Sequence, residues 1–268
     1  MLRAEYMTRI DQALVDRGLC DSRERAKRSV LAGQVRINGH PARKASDKVK
    51  PADGVTLDAP ERFVSRGGHK LEHALEQFQL DVTGLTAIDL GASTGGFTDC
   101  LLQHGAEKVF AVDVGQGQLA WKLRQDSRVV VMEKTNARYL TVRDFAGKPP
   151  APAGGTQPVA TQLETRADII VVDCSFISLK KILPSAVPLL KPHGRVVALI
   201  KPQFEAGKEE ADRGRGVITD RAVHERVLAE LREFVSAQAG LCWHGVVESP
   251  LLGPAGNKEF LALIEKNG

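Results

Sequence analysis

The chain has 268 residues, 43% of them hydrophobic and 26% charged, with a formal net charge of +4; that composition excludes a disordered or fibrous protein and leaves room for one large or two unequal domains. The charge is uneven: residues 1–60 carry 12 Lys+Arg against 8 Asp+Glu, and the remainder carries 25 of each. No apolar run approaches the roughly 20 residues of a membrane helix, no apolar signal region opens the chain, and Cys20, Cys100, Cys174 and Cys242 form no C-x-x-C pair, so a cytoplasmic protein with reduced thiols, no membrane contact and no metal site is expected.

A basic head on a charge-balanced body suggests a head that meets a polyanion. Within the head, residues 1–60, the apolar positions Ile10, Leu14, Ala26, Val30 and Leu31 fall at helical spacings, and Asp21-Ser22 caps the second of two short helices. Gly18 and Gly33 stand where helices end. The alternating stretch from Gln34 runs into Asn38-Gly39, a hairpin signal, and Val55-Thr-Leu supplies a later strand. Arg23, Arg25, Lys27 and Arg28 lie within six residues.

Residues 61–66 read as a linker, and Gly67-Gly68 open a helix through Leu71, Leu75 and Phe78. From residue 67 to 268 the pattern is one continuous βα alternation, with a long Pro/Gly-rich loop at 147–158. It predicts strands at 86–90, 108–112, 129–132, 169–173, 195–200, 242–247 and 259–264, and helices at 96–104, 117–125, 179–190 and 221–238. Several strands are apolar throughout, as parallel strands buried on both faces are. The expected fold is therefore α/β, a doubly wound, mostly parallel, seven-stranded Rossmann-like sheet behind a small α+β head, with ligands beyond the carboxyl ends of the strands.

The first strand ends in Asp89-Leu-Gly91-Ala92-Ser93-Thr94-Gly95-Gly96-Phe97. Glycines there let backbone approach a ligand closely, and the absence of lysine suits a cofactor without phosphates. Asp113-Val114 close the next strand, where a carboxylate can accept hydrogen bonds from two ribose hydroxyls. Asn136-Ala137, after the third, are placed to meet an adenine. This ordered set resembles the S-adenosylmethionine site of Rossmann-like methyltransferases.

Methyl transfer is an in-line displacement, so the acceptor must be aligned and, for a hydroxyl, relieved of its proton. Asp173 terminates the fourth strand and Lys201 the fifth. A lysine base ordinarily titrates near 10.4, so it needs burial or a neighbouring cation to act; Lys70 is a candidate for that cation, and Glu259 for orienting the group. Phe176, three residues past Asp173, reads either as a stacking platform for an extruded base or as a core residue.

Two resemblances carry these readings further. Arg9-Ile-Asp-Gln-Ala-Leu, Asp21-Ser-Arg-Glu-Arg-Ala-Lys-Arg and Gly33-Gln-Val-Arg-Ile-Asn-Gly resemble the S-four type of RNA-binding module, which implies phosphate contacts from Arg9, Arg23, Arg25, Lys27, Arg28 and Arg36; Arg66, in the linker, joins them as a candidate. The pattern begins at Thr8, which makes Met7 a candidate start and residues 1–6 an extension. The whole chain, through Ser65-Arg-Gly-Gly-His-Lys70, the Asp89 loop, Asp173-Cys-Ser-Phe, Ile200-Lys-Pro-Gln-Phe-Glu and Gly256-Asn-Lys-Glu-Phe, resembles the TlyA family of ribosomal RNA 2′-O-methyltransferases. That resemblance implies S-adenosylmethionine as cofactor, cytidine ribose of ribosomal RNA in either subunit as substrate, and a catalytic tetrad of Lys70, Asp173, Lys201 and Glu259. Two other readings share parts of the pattern. A non-catalytic ribosome-assembly role needs the head but not the tetrad; a haemolysin, a name some members carry, needs a membrane-active segment.

Overall fold

The computed structural model describes residues 7–31, 33–58, 62–145, 166–207, 210 and 216–268. The extension at 1–6, Pro60 and the loop at 147–158 lie outside the described residues. The chain divides into two compact units, Met1–Arg62 and Phe63–Gly268.

The first unit runs β1 (Thr8–Arg9), α1 (Ile10–Asp16), α2 (Arg23–Leu31), β2 (Val35–Ile37), β3 (His40–Pro41), β4 (Lys48–Val49) and β5 (Val55–Leu57). Ile10, Leu14, Ala26, Val30, Val35 and Val49 form its core. Leu31, expected with them, is instead 81% exposed, because the buried stripe of α2 follows the i, i+4 pair Ala26 and Val30 and leaves the next position facing water. Ser22 Oγ accepts the Arg25 N–H at 3.3 Å. Asn38 and Gly39 both take positive φ, 51° and 81°, which is the two-residue hairpin geometry that joins β2 to β3.

The second unit runs α3 (Gly67–Gln77), β6 (Thr86–Leu90), α4 (Gly96–Gln103), β7 (Lys108–Val112), α5 (Trp121–Arg124), β8 (Val129–Met132), β9 (Ala167–Val172), α6 (Leu179–Ala186), β10 (Leu190–Ile200), α7 (Pro202–Glu205), α8 (Arg221–Ser236), β11 (Leu241–Glu248) and β12 (Phe260–Lys266). Its seven strands take the order β11-β12-β10-β9-β6-β7-β8. The five from β10 to β8 are parallel to their neighbours, and β12 is antiparallel to both β10 and β11. Alternate residues of the central strands feed two cores: Ile88 and Ile170 pack with Leu183 and Leu231 on one face, while Ala87 and Ile169 pack with Leu71 and Leu101 on the other.

Three expectations are corrected here. The helix at 117–125 shortens to α5, because Gly117 takes a left-handed φ of +74° and Ala120 is extended, with its N–H bonded to the Thr94 carbonyl. The helix at 179–190 ends at Ala186, where Pro188 follows in a tighter turn and β10 begins at Leu190. Within the expected linker, Phe63 is buried in the second unit beside Gly68 and the Val64 N–H donates to Asp99 Oδ2 at 2.8 Å, so residues 63–66 pack as part of the body. Among the described residues no helix is long and apolar enough to cross a membrane.

Candidate active site

Strand order reverses between β6 and β9, so the β6 and β9 loops diverge at their carboxyl ends and leave a crevice. The β6 loop is built around Gly91. Its φ is +87°, and a Cβ there would stand 2.6 Å from the Asp173 carbonyl oxygen, so both conformation and space demand glycine. The Gly91 and Ala92 N–H groups bond to the Val112 carbonyl and the Ser93 N–H to Asp113 Oδ2 at 2.8 Å. The loop is thereby tied to the end of β7.

Asp89 is fully buried beneath this loop. Its Oδ2 accepts from Thr98 Oγ at 2.7 Å, and its Oδ1 has no hydrogen-bond partner. Burial pushes its carboxyl up to about 7, against the Thr98 hydrogen bond and with help from the nearby Asp173 charge. Asp113 accepts from Ser93 and from the Gly115 N–H at 2.7 Å; a carboxylate has about four lone-pair sites, so capacity remains. Val114 and Asn136 are exposed, with Asn136 Oδ1 accepting the Arg138 N–H, whereas Ala137 is buried and its carbonyl accepts from Ser185 Oγ.

A cavity of about 640 Å³ opens in front of the loop. Ala92, Ser93, Thr94, Gly96 and Phe97 line it; Asp89, Gly91, Gly95, Asp113, Val114, Asn136 and Ala137 do not. The donor set is carboxylates and backbone amides without lysine or arginine from the loop, which fits a cofactor carrying positive charge rather than phosphates. The orphaned Oδ1 of Asp89 belongs to the same acidic floor.

Lys70, Asp173, Lys201 and Glu259, which the sequence scatters over 190 residues, all line this cavity. They form two ion pairs. Lys70, from α3, pairs with Glu259 Oε2, just ahead of β12. Lys201 Nζ, at the end of β10, lies 2.5 Å from Asp173 Oδ1 and donates to Ser175 Oγ at 2.8 Å. Each lysine thus has a carboxylate of its own, so the charge that Lys70 was expected to impose on Lys201 is offset by Glu259. Glu259 Oε1 is buried without a hydrogen-bond partner. Cys174 points away: burial pushes its thiol up to about 12, and Sγ donates to the Leu90 carbonyl.

Phe176 is 89% exposed, with φ +64°, and its ring lies 5.0 Å from that of Phe204. Exposure removes the core reading. Arg66 is exposed and lines the cavity.

In the head, Asp11 is buried and receives Arg9 through two hydrogen bonds and Arg23 through one; the Arg9 hydrogen bonds chiefly hold its carboxyl down to about 2. Arg25 pairs with Asp21, Lys27 with Glu24 and Arg36 with Asp58, while Arg28 is exposed. Five of the six basic residues predicted in the head are therefore paired with carboxylates, with Arg9 and Arg23 converging on one buried group.

Ser175, Gln203, Phe204 and Asn257 line the cavity and are not among the site residues expected from the sequence. Asn257 is buried, with Oδ1 accepting the Ile218 N–H and Nδ2 donating to the Gly216 carbonyl, both at 2.8 Å. Ser175 and Gln203 each stand two residues beyond a strand-ending charged residue, which is the signal that could have found them.

Residues 63–266 match the FtsJ-like methyltransferase family model and residues 8–55 the S4 domain. The chain is 47% identical over 257 residues to the 16S/23S rRNA (cytidine-2′-O)-methyltransferase TlyA of Mycobacterium tuberculosis, covering 94% of this chain and 87% of that protein. It is 38% identical over 254 residues to Hemolysin A of Brachyspira hyodysenteriae, covering 95% and 98%. A solved hemolysin-named protein of Streptococcus thermophilus superimposes with a TM-score of 0.69 at 43% identity, covering 98% of this chain and 90% of that one. With the glycine loop at the switch point and the two lysine–carboxylate pairs before it, the chain belongs to the FtsJ-like methyltransferase family, in the group whose catalytic domain follows an S4 domain.

Proposed function

We propose that the chain transfers the methyl group of S-adenosylmethionine to the 2′-hydroxyl of cytidine in ribosomal RNA, in the cytoplasm, with the head binding structured RNA of a ribosomal subunit. The observation that carries this reading is the convergence of Lys70, Asp173, Lys201 and Glu259 on one cavity beside the Gly91–Phe97 loop. The substrate is supported by the 47% identity to a relative named for that reaction.

The Gly91–Phe97 loop, with Asp113, Val114, Asn136 and Ala137 for the nucleoside and Asp89 beneath the loop, would hold S-adenosylmethionine, which would supply an electrophilic methyl carbon whose transfer to the ribose oxygen returns the C–S electron pair to sulfur. The ribose hydroxyl must then lose its proton. Lys201 would take it at Nζ after giving up the ammonium proton it holds in the pair with Asp173, and Asp173, 2.5 Å away, balances the charge when the proton is taken up. Lys70 and Glu259 neutralise each other across the cavity wall and orient the acceptor. Phe176, exposed beside the mouth and braced by Phe204, stacks on the extruded base; such stacking is worth about 1–3 kcal/mol.

Mapping 2′-O-methylation on ribosomal RNA from a strain lacking the gene tests the substrate: cytidines that lose the mark and regain it with purified protein support the reading, and an unchanged map overturns it. The head's part is tested separately. Reversing Arg23 would set a negative charge against buried Asp11, so exposed Arg25 and Arg28 are the cleaner pair. Changing both to Glu weakens RNA binding and lowers the slope of log affinity against log salt by about one per residue, with cofactor affinity unchanged in calorimetric titration.

A further inference from the structure

We infer that Ser175 is a positioning residue: its hydroxyl, together with Asp173, aims the lone pair of the Lys201 amine into the cavity. The inference rests on the methyl-transfer reading above and concerns a residue that reading does not require. A neutral lysine amine has four tetrahedral directions: the bond to Cε, two N–H bonds and one lone pair. Nζ donates one N–H to Ser175 Oγ at 2.8 Å, while Asp173 Oδ1 lies 2.5 Å away as an ion-pair partner that accepts no hydrogen bond. The Ser175 bond fixes one N–H and the Asp173 charge draws the other toward itself, so the lone pair is turned away from both. Lys201 is only 9% exposed, and it lines the cavity, so that remaining direction faces the space where an acceptor hydroxyl would lie.

Ser175 is itself held from both sides. Upstream, the Asp173 N–H bonds to the Leu90 carbonyl at 2.9 Å. Downstream, Ser178 Oγ and the Leu179 N–H both donate to Glu205, at 2.6 and 2.7 Å, and Glu205 closes the helical turn that begins at Lys201 itself. The loop bearing the serine and the loop bearing the lysine are therefore pinned together on either side of the Nζ–Oγ contact. Ser175 is exposed, so the fold does not depend on packing its side chain. Without the hydroxyl, one N–H is free to turn into the cavity and the lone pair points at the acceptor only part of the time. Misalignment of this kind is costly at a reacting centre and cheap for binding.

The test compares wild type with Ser175→Ala, Ser175→Thr and Lys201→Ala, using ribosomal subunits lacking the modification and isotopically labelled S-adenosylmethionine. Ser175→Ala is expected to lower kcat by about 10- to 100-fold, leaving KM for RNA and the cofactor Kd within about twofold, and Ser175→Thr, which keeps the hydroxyl on an exposed position, to restore most of kcat. Full kcat in Ser175→Ala overturns the inference, as does a loss confined to KM, which would mark a substrate contact, or a failure of threonine to rescue. The underlying reading fails differently: wild type would then transfer no methyl to RNA, or Lys201→Ala would match wild type. Activity abolished in Lys201→Ala but intact in Ser175→Ala removes the role of Ser175 alone.

Discussion

Replacing Lys201 with alanine lowers kcat for methyl transfer by about 10²–10⁴-fold, the range of a general base. The size of the effect follows from position. Nζ is held by Asp173 and Ser175 on the wall of the cavity that the methyl-donor loop also lines, and no other lysine in the site has the same partners, since Lys70 is committed to Glu259. Truncation also leaves Asp173 without its counter-charge. Lys201→Met, which keeps most of the volume, therefore belongs beside Lys201→Ala. Both should bind S-adenosylmethionine measurably in calorimetry while failing in single-turnover methylation; turnover retained in either removes Lys201 from the chemistry.

Asp89→Asn changes how stability depends on pH. The native carboxyl titrates near 7 because it is buried, whereas the unfolded one returns to the ordinary range near 4. Between those values the native state holds a proton that the unfolded state has released. The sign follows: stability from this group is fully present below about pH 4 and is lost as pH rises to about 7, by up to ~4 kcal/mol at 1.36 kcal/mol per pH unit. Asparagine keeps an oxygen to accept from Thr98 and cannot ionise. Urea unfolding from pH 4 to pH 8 should therefore give a flatter curve for Asp89→Asn, with the variant gaining on wild type as pH rises. Parallel curves would show that Asp89 does not titrate in this window.

The parts that were legible in the sequence are those governed by short-range pattern. β6, β7 and β8 run residue for residue as expected: β7 and β8 each hold an unbroken apolar run of four, and β6 is bounded by Gly84 and the Gly91 turn. The αL hairpin at Asn38-Gly39 is written in two adjacent letters. Where the backbone of one residue decides, the pattern fails: Gly117 turns left-handed and the Ala120 N–H goes to the Thr94 carbonyl, so the helix starts only at Trp121. The four charged residues of the site were readable through family motifs, but their pairing was not. Lys70 and Glu259 are 189 positions apart, and only the fold decides which carboxylate each lysine meets. Ser175 was overlooked because a serine at a strand end is ordinary until a lysine from the neighbouring strand is seen to reach it.

Gly91 gives the two halves of the reaction a shared mechanical part. Its Cα has no clearance beyond a missing methyl, since the carbonyl of Asp173 occupies the place a side chain would take. The loop on which the donor is to lie and the residue that faces the acceptor therefore abut through backbone alone, with no flexible side chain between them to absorb a shift. A displacement of one is a displacement of the other. Substitutions meant to alter how the donor is gripped will consequently register in how the acceptor is aligned, and tolerance to change in this molecule should be lowest where neither partner presents a side chain to mutate.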